Sequence, residues 1–380
     1  MAKPTHIARY YADDKDVFDL LSLGNVNMTK LHSFLRQRGI VVSPTLDKEE
    51  IARYFQRSPL SWPQLESLLS LIDRAEREDK FTTCKIDATD TSVDSVISAV
   101  AAIQNDRGER CGEVFKTEKI GDGGVEITVS YAEPDLSKTR CLQKDDKTLV
   151  IRLVKENGGF KVRRHDNERS AAILDQVEKL LSPSDTTQHR KRREIAVSGL
   201  TSTQRSKFFV ELARGIPGYE LKDEKGLRVD RPESDSNETE EDEEAETERK
   251  KAEEEFRGMV KRAILQGTSL LMSREYQNYA KDGYSISKLS WTVEETGNNG
   301  NLVEFSAEFN DGEQGTGFQY RVLGKFERKE DGSMAKARTS VTGLEKDRLL
   351  GLLEECAFAS VEKARNEETG DAANSPVEEH

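Results

Sequence analysis

The sequence predicts an α+β protein: a small N-terminal helical module followed by two mixed domains of antiparallel sheet with flanking helices. Three observations support this fold class. Apolar residues recur at helical spacing before residue 80, alternating strand patterns with glycine-rich turns follow, and one very acidic stretch divides the later chain. The expected divisions are a helical module 1–79, an α+β domain 80–231, an acidic linker 232–255, an α+β domain 256–365 and a disordered acidic tail 366–380.

The helical module is expected to contain four short helices. Leu31, Phe34 and Leu35 fall on one face of the second helix, and Gly39 is placed to end that helix in a left-handed conformation. Ser61 and Gln64 form a capping-box pattern at the start of the fourth helix. The first three helices are expected within residues 14–23, 27–39 and 48–56.

The third helix is predicted to begin after Asp47, which can cap it. Its expected buried residues are Ile51, Tyr54 and Phe55, because they share one helical face. Residues 40–45 between the second and third helices read as extended, since they are β-branched and Pro44 disfavours a helical conformation at Ser43.

This order of helix, glycine, extended loop and helix resembles a SAP-type module over residues 26–60. The resemblance rests on the Leu31-to-Leu35 face, the Arg38-Gly39-Ile40 turn, the polar loop and Lys48 at the start of the next helix. Many modules of that family bind duplex DNA through the helix ends and the loop, so the resemblance implies a DNA-binding head. The sequence departs from the family at 45–47, where a glycine is usual and where Asp47 adds a negative charge.

The basic residues of the head point to phosphate independently of the resemblance. Arg36 and Arg38 lie beside the helix-ending glycine, and Lys48 lies at a helix start, where free backbone N–H groups also bind anions. Such contacts give salt-sensitive and largely sequence-independent binding. The alternative is an ordinary charged helical face, or one that binds protein. The predicted phosphate contacts here are Lys30, Arg36, Arg38, Lys48 and Arg53.

Residues 80–231 are expected to form a sheet with flanking helices. Glycine-rich turns at 121–124 and 156–159 each predict a hairpin. Residues 186–231 read as a βαββ piece that either extends this sheet or forms a subdomain. Strands are expected at 80–86, 112–120, 125–133, 148–155 and 159–165, and helices at 92–104, 167–181 and 201–215.

The densest basic run of the chain follows this sheet. If the sheet brings it beside Arg163 and Arg164, the two groups would form a second anion-binding surface. The alternative is a positively charged loop before a strand. The predicted contacts are Arg190, Lys191, Arg192 and Arg193.

The acidic stretch 232–255 holds thirteen acidic and three basic residues, about −10 of the chain's net charge of −13. It has too few apolar side chains to offset the entropy of folding, which indicates a disordered linker. A DNA-mimicking or partner-binding segment is the alternative. Beyond it, a long helix over 256–280, three strands and a closing helix are expected. This order echoes residues 91–181, so an internal duplication is a second interpretation.

The sequence shows no recognised catalytic motif, such as a P-loop, a dinucleotide fingerprint, GxSxG or HExxH. The five histidines and four cysteines lack metal-ligand spacing, so we expect no metal, no cofactor and reduced, mostly buried thiols. His165 is expected in a solvated turn. Asp311, Glu327 and Lys329 come nearest to the scattered carboxylates and lysine of a metal-dependent nuclease.

We therefore expect a non-enzymatic nucleic-acid-binding or adaptor protein, in which the head contacts DNA or RNA and the sheet domains engage a protein partner. The alternative is a scaffold subunit without nucleic-acid binding, whose acidic linker shields partners or the chain's own basic patches. A metal-dependent nuclease is the third hypothesis. The start of the chain lacks a signal-peptide pattern and no run is long and apolar enough for a membrane span. The expected location is cytoplasmic, or nuclear in a eukaryote, without membrane association.

Overall fold

The α+β class is confirmed by the computed structural model, in which the described residues form nine α-helices and eleven antiparallel strands. The chain divides into two compact units. The first comprises 1–77, 91–152 and 172–183, and the second comprises 78–90, 153–171 and 184–380. The structure describes residues 12–22, 26–71, 79–88, 91–121, 123–138, 140–156, 158–181, 192–231, 261–297, 300–329 and 331–366.

The first unit begins with the head, four short helices that bury their apolar faces against one another. Leu31, Leu35 and Phe55 are almost fully buried, and a 3-10 turn at Arg140–Leu142 adds Cys141 to the same core. The helices are α1 (Asp14–Ser22), α2 (Met28–Gln37), α3 (Lys48–Phe55) and α4 (Trp62–Leu69).

The helix ends of the head follow the local sequence signals. Gly39 adopts a φ of +75°, and its N–H donates to the carbonyl of Arg36 at 2.9 Å, which ends α2. Asp47 caps α3 as predicted, and the Gln64 side chain accepts the N–H of Ser61 at 2.9 Å at the start of α4.

The rest of the first unit is a meander of three strands with a helix packed on it. β2 and β3 pair from Ile120↔Gly124 to Val114↔Ser130, which confirms the hairpin predicted at 121–124. The helix α5 packs on these two strands. The elements are α5 (Val93–Cys111), β2 (Val114–Ile120), β3 (Gly124–Pro134) and β4 (Lys144–Glu156).

The second unit is built on an antiparallel sheet with strand order β5-β1-β11-β10-β9-β7-β8, and β6 also pairs with β1. Its strands are β1 (Phe81–Asp87), β5 (Gly159–His165), β6 (Arg192–Glu194), β7 (Tyr219–Asp230), β8 (Arg262–Gln266), β9 (Ser285–Glu295), β10 (Leu302–Asp311) and β11 (Thr316–Phe326). Its helices are α7 (Ser202–Arg214), α8 (Arg274–Lys281) and α9 (Gly343–Asn366); α6 (Glu168–Leu181) contributes residues to both units.

This sheet takes strands from both of the expected α+β domains, 80–231 and 256–365. β7 pairs with β9 from Tyr219↔Glu295 to Asp230↔Ser285, and Phe81 of β1 pairs with Tyr320 of β11. Cross-strand pairing therefore joins segments that the sequence pattern had divided. Residues 232–255 and 367–380 lie outside the described residues.

In strands β7, β9, β10 and β11 the sheet of the second unit has one apolar face and one polar face, because successive side chains of a strand point to opposite sides. The apolar face is covered by α7 and α9. Lys288, Ser290 and Thr292 of β9 alternate with Leu289, Trp291 and Val293, and only the latter three face the core. The same core contains Leu227, Phe305, Phe309, Phe318 and Tyr320.

Two element predictions beyond residue 218 are wrong. The long helix expected at 256–280 is, in its described part, β8 followed by a 3-10 turn and the short helix α8. β8 pairs with β7, which places Ala263 against Val229 and Leu265 against Leu227. Residues 219–230 form one strand with three register shifts rather than two short strands.

Candidate nucleic-acid interface

The head has the predicted order of helix, non-helical loop and helix. α2 ends at Gln37, α3 starts at Lys48, and the N–H of Ile40 bonds back to the carbonyl of Leu35 at 2.9 Å. Of the basic residues predicted to contact phosphate, Lys30 and Arg36 lie exposed on α2. Membership of the SAP family remains a prediction.

The start of α3 is already occupied by carboxylates. Asp47 Oδ1 accepts the N–H of Glu50 at 2.7 Å, and Glu50 Oε2 accepts the N–H of Asp47 at 3.0 Å. Asp47, Lys48 and Glu49 line a shallow pocket of about 420 Å³ together with Phe18 and Ser22. A phosphate placed here would meet several negative charges, and part of the N–H set that it needs is already bonded.

Arg38 has a structural role in the head. Its guanidinium carbon lies 5.2 Å from the ring centre of Phe55 and 5.9 Å from that of Phe34. Its Nη2 donates to the carbonyl of Pro59 at 3.1 Å. Arg38 therefore ties the end of α2 to the chain that follows α3, and the stacked guanidinium is held in place rather than extended into solvent.

The exposed surface of α3 and the preceding loop carries both an ion pair and apolar side chains. Arg53 pairs with Glu49 at 2.6 Å within the same helix, and both side chains are well exposed. Tyr54, expected in the core, is 66% exposed, because Ile51 and Phe55 take the inward positions one turn apart. Val41 in the loop is 84% exposed. No sequence pattern indicated that the Val41 and Tyr54 side chains face solvent.

The second predicted basic surface is assembled in part. Arg192 pairs with Ile86 and Arg193 with Lys85 across β6 and β1, while β5, which holds Arg163 and Arg164, pairs with the same β1. Arg163 and Arg164 therefore lie on one strand that pairs with β1, and Arg192 and Arg193 lie on another. Arg190 and Lys191 lie outside the described residues.

The side chains of these arginines are nevertheless engaged by acids or by the backbone. Arg193 lies 3.2 Å from Asp87, and Arg192 lies 3.8 Å from Glu194. Arg164 donates to Ser170 Oγ at 3.0 Å and to a main-chain carbonyl. The described part of this surface is therefore charge-compensated, which weakens its case as an anion-binding site.

Arg163 belongs to a buried network within the second unit. Its Nε donates to Glu354 Oε1 of α9, which also accepts the hydroxyl of Tyr320. Glu354 is 1% exposed, and Lys161 Nζ lies 3.8 Å from its other oxygen. Burial, followed by the Glu354 charge, raises the pKa of Tyr320 well above its usual value. Burial opposes the charge of Arg163, but Glu354 outweighs it and raises the pKa of Arg163. This network fixes α9 on the sheet.

His165 is not in a solvated turn, and that prediction is wrong. It is 8% exposed at the end of β5 and packs edge-on against Phe81, with ring centres 4.7 Å apart. Its Nε2 lies 3.9 Å from Asp79. Burial lowers the pKa of His165; Asp79 opposes this shift and Lys346 adds to it. The histidine is a core residue whose neutral form is favoured.

The residues considered for a nuclease are not brought together. Asp311 ends β10, where its carboxylate accepts the N–H of Gln314 at 2.9 Å. Glu327 and Lys329 follow the far end of β11, whose length separates them from Asp311 by roughly 30 Å at the usual strand rise. In the described ranges, no group of three or more His, Cys, Asp or Glu side chains is arranged to hold a metal ion.

The four cysteines form no disulfide in the described structure, and all but Cys111 are buried. The chain matches no protein-family model and no curated protein sequence.

Within the part of the chain that the structure describes, no helix combines the length and the apolar character needed to cross a membrane.

Proposed function

We propose that this chain is a non-enzymatic nucleic-acid-binding protein whose head contacts the phosphate backbone. The observation that carries the proposal is the end of the head where α2 and α3 both stop. The bond between Arg38 and Pro59 joins the end of α2 to the chain that follows α3. Arg36 and Arg57, each two residues away from that bond, are both exposed. Two exposed arginines near this contact favour phosphate binding at this end rather than at the start of α3.

Arginine suits this role because its planar guanidinium forms paired hydrogen bonds with phosphate oxygens and keeps its charge at all relevant pH values. Cations at helix C-termini also stabilise the helices themselves, which is the alternative explanation for their position. The two explanations differ in their consequences, since only phosphate contact changes the salt dependence of binding.

The experiment measures binding of the full chain to labelled duplex DNA, single-stranded DNA and RNA over a salt series. We expect the double variant Arg36→Gln/Arg57→Gln to weaken binding by about tenfold or more at 0.1 M salt. Its slope of log affinity against log salt should fall by roughly two, since each phosphate contact contributes about 0.9. The matched control is Lys363→Gln on α9, which removes one exposed charge that is paired with Glu211. The proposal fails if no nucleic acid binds at low salt, or if the double variant binds like the wild type.

A scaffold function without nucleic acid is the second candidate, and the exposed Val41 and Tyr54 favour it. The carboxylates at the start of α3 would suit a protein surface better than a phosphate. If this candidate is correct, Val41→Ser/Tyr54→Ser should abolish recovery of a specific co-purifying protein, while Arg36→Gln/Arg57→Gln leaves that recovery unchanged. If recovery of that protein is unchanged in both variants, this candidate loses its support.

A further inference from the structure

A cluster of cations surrounds a buried carboxylate on the polar face of the second unit's sheet. Lys80 Nζ lies 2.6 Å from Glu308 Oε1, while Lys288 Nζ and Arg228 Nη1 lie 3.3 and 3.5 Å from Oε2. The strand register explains the arrangement, because Lys288 pairs with Glu308 across β9 and β10 and with Arg228 across β9 and β7.

A second buried carboxylate extends the cluster to the sheet edge. Arg262 Nε on β8 donates to Asp230 Oδ1 at 2.6 Å, and Arg228 Nε lies 3.4 Å from Oδ2. Glu313 adds a more distant negative charge that acts on Arg262. We call the four basic residues the cation cluster: Lys80, Arg228, Arg262 and Lys288.

The carboxylates lie at the bottom of this cluster and the cations lie at its surface. The side chains of Asp230 and Glu308 are 1% and 10% exposed, whereas those of Lys80, Lys288 and Arg262 are 41%, 31% and 52% exposed. Burial would raise the pKa of Glu308, but its cationic neighbours outweigh burial and lower it. Glu308 therefore stays ionised and holds the lysines, while the positive groups face solvent.

Three members of the cluster keep hydrogen-bond donors beyond those that the carboxylates take. Each lysine ammonium has three donors and each guanidinium has five. The bonds described for Lys80, Lys288 and Arg262 are directed at Glu308 or Asp230 alone. Arg228 differs, because it also donates to Ser287 Oγ and to the carbonyl of Phe309, both at 2.9 Å. Arg228 thus supports the cluster from below.

The described sheet surface beside the cluster carries small side chains rather than aromatic ones. Gly226, Ser290 and Ser306 lie opposite one another on β7, β9 and β10, in the row next to Arg228 and Lys288. The aromatic residues of these strands belong to the apolar core on the other face: Tyr219, Trp291, Phe305 and Phe309. Single-strand binding usually depends on stacking of bases on aromatic rings, so this face suits a backbone whose bases are already paired.

We propose that the cation cluster is a second phosphate-contacting surface, which binds the backbone of duplex nucleic acid. Its ligand class rests on the proposed function, but its residues are separate from those of the head. The complementary charge of the exposed lysines and Arg262 is the basis for choosing this occupant. The competing occupant is the acidic stretch 232–255, which lies in the chain between the end of β7 and the start of β8. The strand residues at these two ends, Asp230 and Arg262, form an ion pair within the cluster.

The test measures fluorescence anisotropy of the full chain with a labelled 20-base-pair duplex of DNA or RNA, and with a single strand, over a salt series. Lys80→Gln/Lys288→Gln should weaken duplex binding about tenfold or more at 0.1 M salt and reduce the salt slope by roughly two. Arg262→Gln should reduce the slope by about one. Lys80→Arg/Lys288→Arg, which keeps both charges, should bind like the wild type.

The matched controls are Lys363→Gln and Arg348→Gln on α9, where each cation is exposed and pairs with one acid. Thermal unfolding of every variant shows whether the fold is retained, and the single variant Arg262→Gln keeps the proposal testable if the glutamine double variant unfolds. The proposal is overturned if the wild type binds duplex and the cluster variants bind as tightly as these controls.

The head and the cluster can fail separately. Loss of binding in Arg36→Gln/Arg57→Gln alone would support the head and overturn the cluster, and loss in the cluster variants alone would do the reverse. Deletion of 232–255 tests the competing occupant. If the deletion tightens duplex binding only when the cation cluster is intact, the result supports the proposed surface. If the cluster variants do not change duplex binding in the full chain or in the deleted chain, the proposal is overturned.

Discussion

Replacing Arg163 by methionine tests whether its buried pair with Glu354 holds α9 on the sheet. The change leaves the Glu354 carboxylate buried with the Tyr320 hydroxyl and, at 3.8 Å, Lys161 as its remaining partners. Breaking a buried pair by removing one partner typically costs 3–5 kcal/mol. Because two partners remain here, we expect about 3 kcal/mol of lost unfolding free energy.

Removal of the whole network should cost less than removal of Arg163 alone. The triple variant Arg163→Met/Glu354→Leu/Tyr320→Phe replaces the three buried members together, and Lys161 keeps its pair with Glu156 at 3.3 Å. Asp347 loses its 3.4 Å contact with Arg163 in both variants. Apolar replacements of buried ion pairs are often neutral or stabilising. Lys363→Met is the control, since Lys363 and Glu211 form an exposed pair at 3.2 Å. We expect the control to cost less than about 1 kcal/mol.

Urea unfolding followed by tryptophan fluorescence provides the measurement. Trp291 is fully buried in the sheet to which α9 is bound, and the chain's other tryptophan is Trp62. A Trp62→Phe background therefore leaves one reporter of the second unit. The reasoning would be refuted if Arg163→Met cost no more than Lys363→Met, or if the triple variant were less stable than Arg163→Met.

Three further predictions concern single residues. Arg38→Ala should raise the rate of amide hydrogen exchange in α2 and α3, because the head loses about 1–3 kcal/mol of stability. Arg38→Lys should restore little of that stability, because the stacked contact needs a planar guanidinium. Gly312→Ala should lower the free energy of unfolding in urea by more than about 2 kcal/mol, because its methyl group would lie 2.1 Å from Asp230 Oδ2. Gly351→Ala in α9 is the comparison. Its methyl group meets only an ordinary contact at 3.6 Å, so this change should stabilise the fold by up to about 1 kcal/mol. The folded pKa of His165 lies below its unfolded value, so the neutral histidine favours the folded state. Its contribution to the free energy of unfolding is complete above about pH 6.5 and is lost as pH falls through the folded pKa. The free energy of unfolding should therefore change by at most about 1.4 kcal/mol per pH unit.

Each of these predictions has a result that contradicts it. Unchanged exchange in α2 after Arg38→Ala would mean that the stacked guanidinium contributes nothing to the head. Equal effects of Gly312→Ala and Gly351→Ala would show that the close approach to Asp230 relaxes freely. His165→Gln should flatten the fall in stability between pH 7 and 5, so an unchanged slope would assign that fall to another group.

The parts of the fold that were predicted correctly depend on signals within a few residues. Gly39 supplies the left-handed conformation that ends α2, and Asp47 supplies the cap that begins α3. The glycine-rich turn at 121–124 likewise joins two strands that pair directly. In each case the residues that determine the structure are neighbours in the chain.

The incorrect predictions depend on partners that are distant in sequence. The run Ala263 to Leu265 suits either a helix or a strand, and its pairing with β7, more than thirty residues earlier, decides for the strand. Arg163 had the appearance of a surface cation because its partner Glu354 is 191 residues away. The cation cluster was missed for the same reason, since Lys80, Lys288 and Glu308 meet only through sheet pairing.

The pairing of β7 with β9 and β8 has a consequence for how the second unit withstands cleavage. The acidic stretch 232–255 connects two strands of one sheet, so a protease that cuts it would leave two fragments joined by the β7 ladder and the shared apolar core. The nicked chain should then elute as one particle under native conditions and separate only in denaturant. Fragments ending at residue 231 and starting at residue 261 are accordingly candidates for reconstitution as a split protein.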